Sequence, residues 1–262
     1  MSVTRDGVLS ALLGMGVSPS LLQDFPELPR DVEGVLIYGS QARGDATPDS
    51  DLDVLALIAV PRPSAYSGDV NVSYYTREQL STGIGTLFGA HLNRDAKVVW
   101  DEHGYLARAV KDMGDVDTDR LLMRTRGMCE LFTSPEWDLP KYLVGLLREA
   151  RYLLRSCLYA KAIADDDPCF SLRELAVRHG DYALTRLLAS RQRGEASSDD
   201  LHECLSRLRS IVGEFPSSRH GSLEATIVNE WARPSDLLSM AFMALGSTGN
   251  GSDYAEVEKI LL

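Results

Sequence analysis

LIYGSQARGDATPDSDLDVLAL, residues 36–57, is the stretch from which the rest of the chain can be read. An apolar run ends in Gly39-Ser40, a polar stretch with Arg43-Gly44 follows, and two acids, Asp51 and Asp53, open a second apolar run. Glycines at 34 and 39 bound GVLIYG, which reads as a short strand. DLDVLALIAV reads as another, alternating at first and then almost wholly apolar, as expected of a buried central strand. A strand that ends in Gly-Ser and enters a helix leaves backbone N–H groups sterically open. Such a corner can cradle phosphate oxygens, helped by the helix N-terminus. Asp51 and Asp53, at i and i+2, leave the same face of the sheet, while Leu52 and Val54 point the other way into the core. Carboxylates held that close repel unless a cation lies between them. Hard oxygen ligands favour Mg²⁺ or Mn²⁺, ions that usually arrive with substrate phosphates. Arg43 is placed to clamp a phosphate or to organise the loop.

Outward from this segment the elements alternate. Residues 6–25 read as a helix or a helix pair, and Pro26 to Arg30 as a turn. Pro61 and Pro63 end the second strand, and DVNVSYYT alternates as a third. REQLSTGIGTLFGAHL reads as one helix with Thr76 as its N-cap, and AKVVWDEHG as a short edge strand. Beyond about residue 105 the period becomes helical: LPKYLVGLLREARYLLRSCLYAKAIA places Leu143, Leu146, Leu147, Ala150, Leu153, Leu154 and Leu158 on one face. The two segments that follow, FSLRELAVRHGDYALTRLLASRQ and SDDLHECLSRLRSIVGEF, continue in the same manner. The expected domains are therefore an α/β part over 1–105 and an all-helical part over 106–262. The segment GSTGNGSDY reads as a linker before a final short helix.

Composition narrows the partners. The 262 residues are 44% hydrophobic and 25% charged, with a net charge of −11. Proteins that grip long nucleic acid nonspecifically present basic surfaces, so no long nucleic acid is expected, while a metal-compensated nucleotide or a cationic small molecule remains open. The four cysteines show no CxxC spacing and read as reduced, buried residues. No apolar run reaches the roughly 18 residues of a membrane span. The N-terminal segment reads as an amphipathic helix rather than a signal peptide, giving a cytoplasmic location by default. A monomer or small homo-oligomer is expected.

Gly39-Ser40, ten residues and then Asp51-Leu52-Asp53, preceded by an apolar strand, resembles the signature of the nucleotidyltransferase superfamily related to DNA polymerase beta. The longer string GSQARGD…SDLDV resembles its small bacterial members, the minimal and the aminoglycoside nucleotidyltransferases. The resemblance implies a small mixed sheet followed by a helical bundle. It also implies transfer of a nucleoside monophosphate, with AMP expected, from ATP or another NTP to an acceptor hydroxyl. Asp51 and Asp53 would hold Mg²⁺ or Mn²⁺, and Gly39, Ser40, Arg43 and Ser50 would serve the nucleotide.

The family adds a third acid on a neighbouring strand, to hold the catalytic metal and deprotonate the acceptor. The third strand here offers Asn71 at the expected position, and Asn cannot act as a base. Asp69, one pleat away, is the candidate substitute, with Asp95, Asp101 and Glu102 as further ones; a site without a third acid is the other expectation. His91 reads as a packed, hydrogen-bonded residue. In the helical half, Arg148, Arg151 and Arg155 form either an ion-paired face or, through Arg148 above all, a contact to the triphosphate. Three acceptor classes stay open: an aminoglycoside-like small molecule, a protein or RNA end, or none, in a nucleotide-binding module that has lost turnover.

Overall fold

The computed structural model describes residues 4–48, 50–133, 136, 138–188, 196–233 and 235–246. The linker and final helix expected near the C-terminus fall, from residue 247 onward, outside the described residues. The chain divides into two compact units, one through Val116 and one from Asp117.

The first unit runs α1 (Arg5–Gly14), α2 (Pro19–Gln23), β1 (Val32–Tyr38), α3 (Gly39–Arg43), β2 (Leu52–Ile58), β3 (Ala65–Ser67), β4 (Val70–Tyr75), α4 (Arg77–Ser81), α5 (Leu87–Asp95), β5 (Lys97–Asp101) and α6 (Tyr105–Lys111). Its sheet has the order β3-β4-β2-β1-β5. It is mixed: β2 lies parallel to β4 and antiparallel to β1, and both edge strands pair antiparallel to their neighbours. Two apolar layers cover it. Leu52, Val54, Ala56 and Ile58 of β2 pack with Val8 and Leu12 of α1. Leu55 and Leu57 point to the opposite face, against Leu80, Phe88 and Leu92 of α4 and α5 and Leu106 and Val110 of α6. Because α6 buries its apolar face on the sheet, this unit extends past residue 105 and the division falls after Val116.

Two local expectations change. The single helix over 77–92 is two helices. Thr76 caps α4 in a capping box with Gln79, but Gly83-Ile84-Gly85 interrupts the run, Gly85 at φ +78°. Thr86 then caps α5, its hydroxyl accepting from the Gly89 N–H at 3.0 Å. Glycine at 89 lets the two segments close up, since a Cβ there would stand 2.1 Å from the Gly83 carbonyl oxygen. The three-residue edge strand β3 is new: it is too short to show an alternation.

The second unit is helical throughout its described residues, with α7 (Thr118–Met128), a 3-10 turn at Cys129–Phe132, α8 (Leu139–Ala164), α9 (Leu172–Arg178), α10 (Ala183–Leu187), α11 (Ser198–Val212), α12 (Leu223–Glu230) and α13 (Asp236–Leu245). Leu146, Leu147, Ala150, Leu153 and Leu154 of α8 are buried against Leu201, Leu205 and Leu208 of α11 and Met240 of α13, the face the heptad-like spacing predicts. All four cysteines are buried free thiols. Among the described residues no helix is long and apolar enough to cross a membrane.

Candidate active site

The site begins where β1 runs out. Tyr38 is its last residue, and Gly39 at φ +73° turns the chain straight into α3. That turn requires glycine for two reasons. The backbone lies in the left-handed region, and a Cβ would sit 2.8 Å from Oδ2 of Asp53. The main chain of the corner and the Asp53 carboxylate are therefore in direct apposition.

Strand register does the rest. Tyr38 pairs with Asp53, Asp53 with Asn71 on β4, and Asn71 with Tyr66 on β3. Residues directly opposite one another share a face, so Tyr38, Asp53, Asn71 and Tyr66 form one row across four strands. Asn71 closes the arrangement. Its Nδ2 donates to Oδ2 of Asp51 at 3.3 Å and to Oδ1 of Asp53 at 3.2 Å, gathering the two carboxylates around one amide. Burial pushes the Asp53 carboxyl up to about 6, the charge of Asp51 pushing the same way and the Asn71 amide and Arg43 acting against them. A carboxylate held there is electrostatically expensive unless positive charge is supplied.

The remaining expected residues are placed as follows. Ser40 is half-buried in the first turn of α3, and its carbonyl accepts from the N–H groups of Gly44 and Asp45. The Ser50 hydroxyl accepts from the Thr47 N–H at 2.8 Å and lies 3.0 Å from the Thr47 hydroxyl, pinning the turn that delivers Asp51. Asp69 lies in the turn between β3 and β4, where its carbonyl accepts from the Leu52 N–H at 2.8 Å. Among the described residues no three His, Cys, Asp or Glu side chains stand close enough together to hold a metal ion. Asp101 accepts from the Ala107 N–H at the start of α6.

Arg43 turns away to a second cluster. Its Nη1 donates to Oδ2 of Asp95 at 3.0 Å and lies 3.3 Å from Nε2 of His91, and its Nε is 3.2 Å from Asp45. Burial alone would push Asp95 up, but hydrogen bonds from His91 and Arg43 outweigh it and hold the carboxyl below its ordinary range. Burial lowers the His91 imidazole despite the pull of Asp95, and its ring stands edge-on to Tyr38 at 5.7 Å. The cluster ties α3 to α5 and fixes the corner from behind. Asp45 and Asp95 were not singled out from sequence as partners of Arg43. Asp45 was within reach of such a reading, being two residues away.

In the helical unit Arg148 is bonded to Glu149 at 2.8 Å and to the Met243 carbonyl. Arg151 reaches the Leu187 carbonyl and Asp200, and Arg155 the Leu188 carbonyl. All three thus serve the packing of that unit.

Residues 18–99 match the family model of the nucleotidyltransferase domain. This part of the chain is similar to nucleotidyltransferase domains. The match spans β1, α3, β2 and β4 and stops within β5, so it contains the whole of the row described above. No curated protein matches the chain. Among solved structures, a nucleotidyltransferase-like protein from Exiguobacterium sibiricum 255-15 aligns with it at 11% identity and a TM-score of 0.31, covering 79% of this chain and 74% of that one.

Proposed function

We propose that the nucleotidyltransferase domain transfers a nucleoside monophosphate, AMP in the first instance, from an NTP to an acceptor hydroxyl with release of pyrophosphate. The observation that carries this reading is the pair Asp51 and Asp53 gathered at Asn71 directly against the side-chain-free Gly39. The donor set fits a hard divalent ion. It consists of carboxylate oxygens, one of them raised to about 6 by burial and a like-charged neighbour, and a cation relieves that repulsion. Bound there, Mg²⁺ or Mn²⁺ would neutralise charge on the triphosphate and polarise the phosphorus under attack.

The chain's own groups supply position. Gly39 lets phosphate oxygens approach the main chain, and the Ser40 hydroxyl offers a donor beside them. Leu52 and Val54, wholly buried, lock the strand that carries the acids. Arg43 holds the corner through Asp95 and Asp45.

The acidity of the chain favours a cationic acceptor of the aminoglycoside kind over a protein or an RNA end. Asn71 in place of a third acid favours one further reading, a nucleotide-binding module with little turnover. Incubating the purified protein with each labelled NTP, Mg²⁺ and an aminoglycoside panel, and then with cell lysate, separates the three by where label appears: on a small molecule, on macromolecules, or nowhere. Transfer that survives Asp53→Ala would mean that the site is elsewhere.

A further inference from the structure

We infer that Asn71 makes this a site that takes a single divalent cation only together with the triphosphate. The inference rests on the reading of Asp51 and Asp53 as metal ligands and concerns what the residue between them does to that role. Asn71 stands opposite Asp53 on β4, and its amide faces both carboxylates with its nitrogen, the orientation that two acceptors demand. A neutral donor thus sits where a free cation would have to go.

Three features act in the same direction. The amide satisfies an oxygen of each carboxylate, so the pair is partly compensated without a metal. Arg43 also acts on Asp53 and is fixed to Asp95, which keeps its charge in place. No third His, Cys, Asp or Glu joins the group among the described residues, so the chain offers a lone ion few oxygens in exchange for its water. Mg²⁺ gives up water reluctantly and is held by one or two carboxylates plus substrate phosphates rather than by the protein alone. The triphosphate supplies what Asn71 withholds. Cation and nucleotide then bind with positive coupling, and each tightens the other by the same factor.

The test uses equilibrium dialysis of the full-length protein against Mn²⁺ alone and against Mn²⁺ plus a non-hydrolysable α,β-methylene ATP, counting only the ion and analogue held in excess over the protein-free chamber, so that the Mn²⁺–analogue complex formed in solution is not scored as binding. Wild type is expected to bind Mn²⁺ at least about tenfold more tightly with the analogue, at one ion per chain, and the analogue to tighten by the same factor when Mn²⁺ is present. Asn71→Asp, which replaces the donor by a third carboxylate, is expected to bind Mn²⁺ without nucleotide at least about tenfold more tightly than wild type. Equal wild-type affinity with and without the analogue overturns the inference, and so do two ions per chain; both results stand whether or not the variant folds. A folded Asn71→Asp with unchanged affinity overturns it as well. If Mn²⁺ and the analogue fail to bind even together, the proposed function itself falls and the inference with it.

Discussion

Two polar clusters lie within one turn of each other on the first unit, and they solve the problem of buried charge in opposite ways. Around Arg43, the acids Asp95 and Asp45 meet a guanidinium, and Asp95 ends below its ordinary range. Around Asn71, two acids meet a neutral amide, and Asp53 rises to about 6. The first cluster brings its own cation to its acids. In the second the two acids share a neutral amide, and a carboxyl raised by burial next to a side-chain-free turn suits a place kept for something else. Arg43 is held among acids and Asp53 beside a neutral amide, although both stand in the same short stretch of sequence.

The sharpest way to break this contrast is to neutralise one acid. Asp53→Asn should lower transfer by more than the roughly 100-fold that outer-shell changes around metals cost, while leaving the melting temperature unchanged or raised at pH 7. A variant that melts much lower would make Asp53 a structural residue. Arg43→Met should do the reverse and destabilise by about 3 kcal/mol, because it strands Asp95, a buried carboxylate, without its partner. Chemical denaturation measures this. Lost NTP binding at wild-type stability would move Arg43 into the phosphate site.

Smaller effects sharpen the same contrast. Gly39→Ala forces a side chain into left-handed backbone and against Asp53 Oδ2, so a cost of about 1–2 kcal/mol should come with displaced carboxylates and weaker Mn²⁺–nucleotide binding. The pH dependence should be the mildest signal. The folded state keeps the Asp53 proton up to about 6, whereas the unfolded chain releases it near the ordinary 3.8. Stability should therefore fall as pH rises between those values and level off above, and Asp53→Asn should lack that slope. Asp95 has the opposite sign, its contribution being lost as pH falls through its lowered value. Melting curves of wild type and Asp53→Asn from pH 4 to 8 resolve the difference.

How much of this was legible in the sequence depended on how local each cause was. The strands carrying the site announced themselves through Leu52, Val54, Val70 and Val72, because a two-residue period needs only the residues themselves. The same period puts Asn71 on the outward face of its strand, whereas its place opposite Asp53 is a matter of register that only the pairing of β2 with β4 fixes. The break in the helix over 77–92 was not legible: its cause is the packing of Gly89 on the Gly83 carbonyl, in a run whose apolar spacing looks continuous. The role of Arg43 was hidden more deeply, since Asp95 lies 52 residues further on and only the fold of α5 over the corner brings it there. Three residues of β3 gave no period to detect, so Tyr66, half-exposed at the end of the row, went unremarked.

The position of β2 has a further consequence, for how the protein comes apart. It is the middle strand of five, hydrogen-bonded on both sides and covered on both faces. Amide hydrogens of such a strand exchange with solvent only when the whole unit opens, whereas those of the short outer strand β3 exchange through local fraying. The acids thus ride on the slowest-exchanging segment of their unit, and the Tyr66 end of the row on one of the fastest. On gradual warming, the acid pair should keep its arrangement until the sheet is lost as a whole, while the strand beyond Asn71 loosens first.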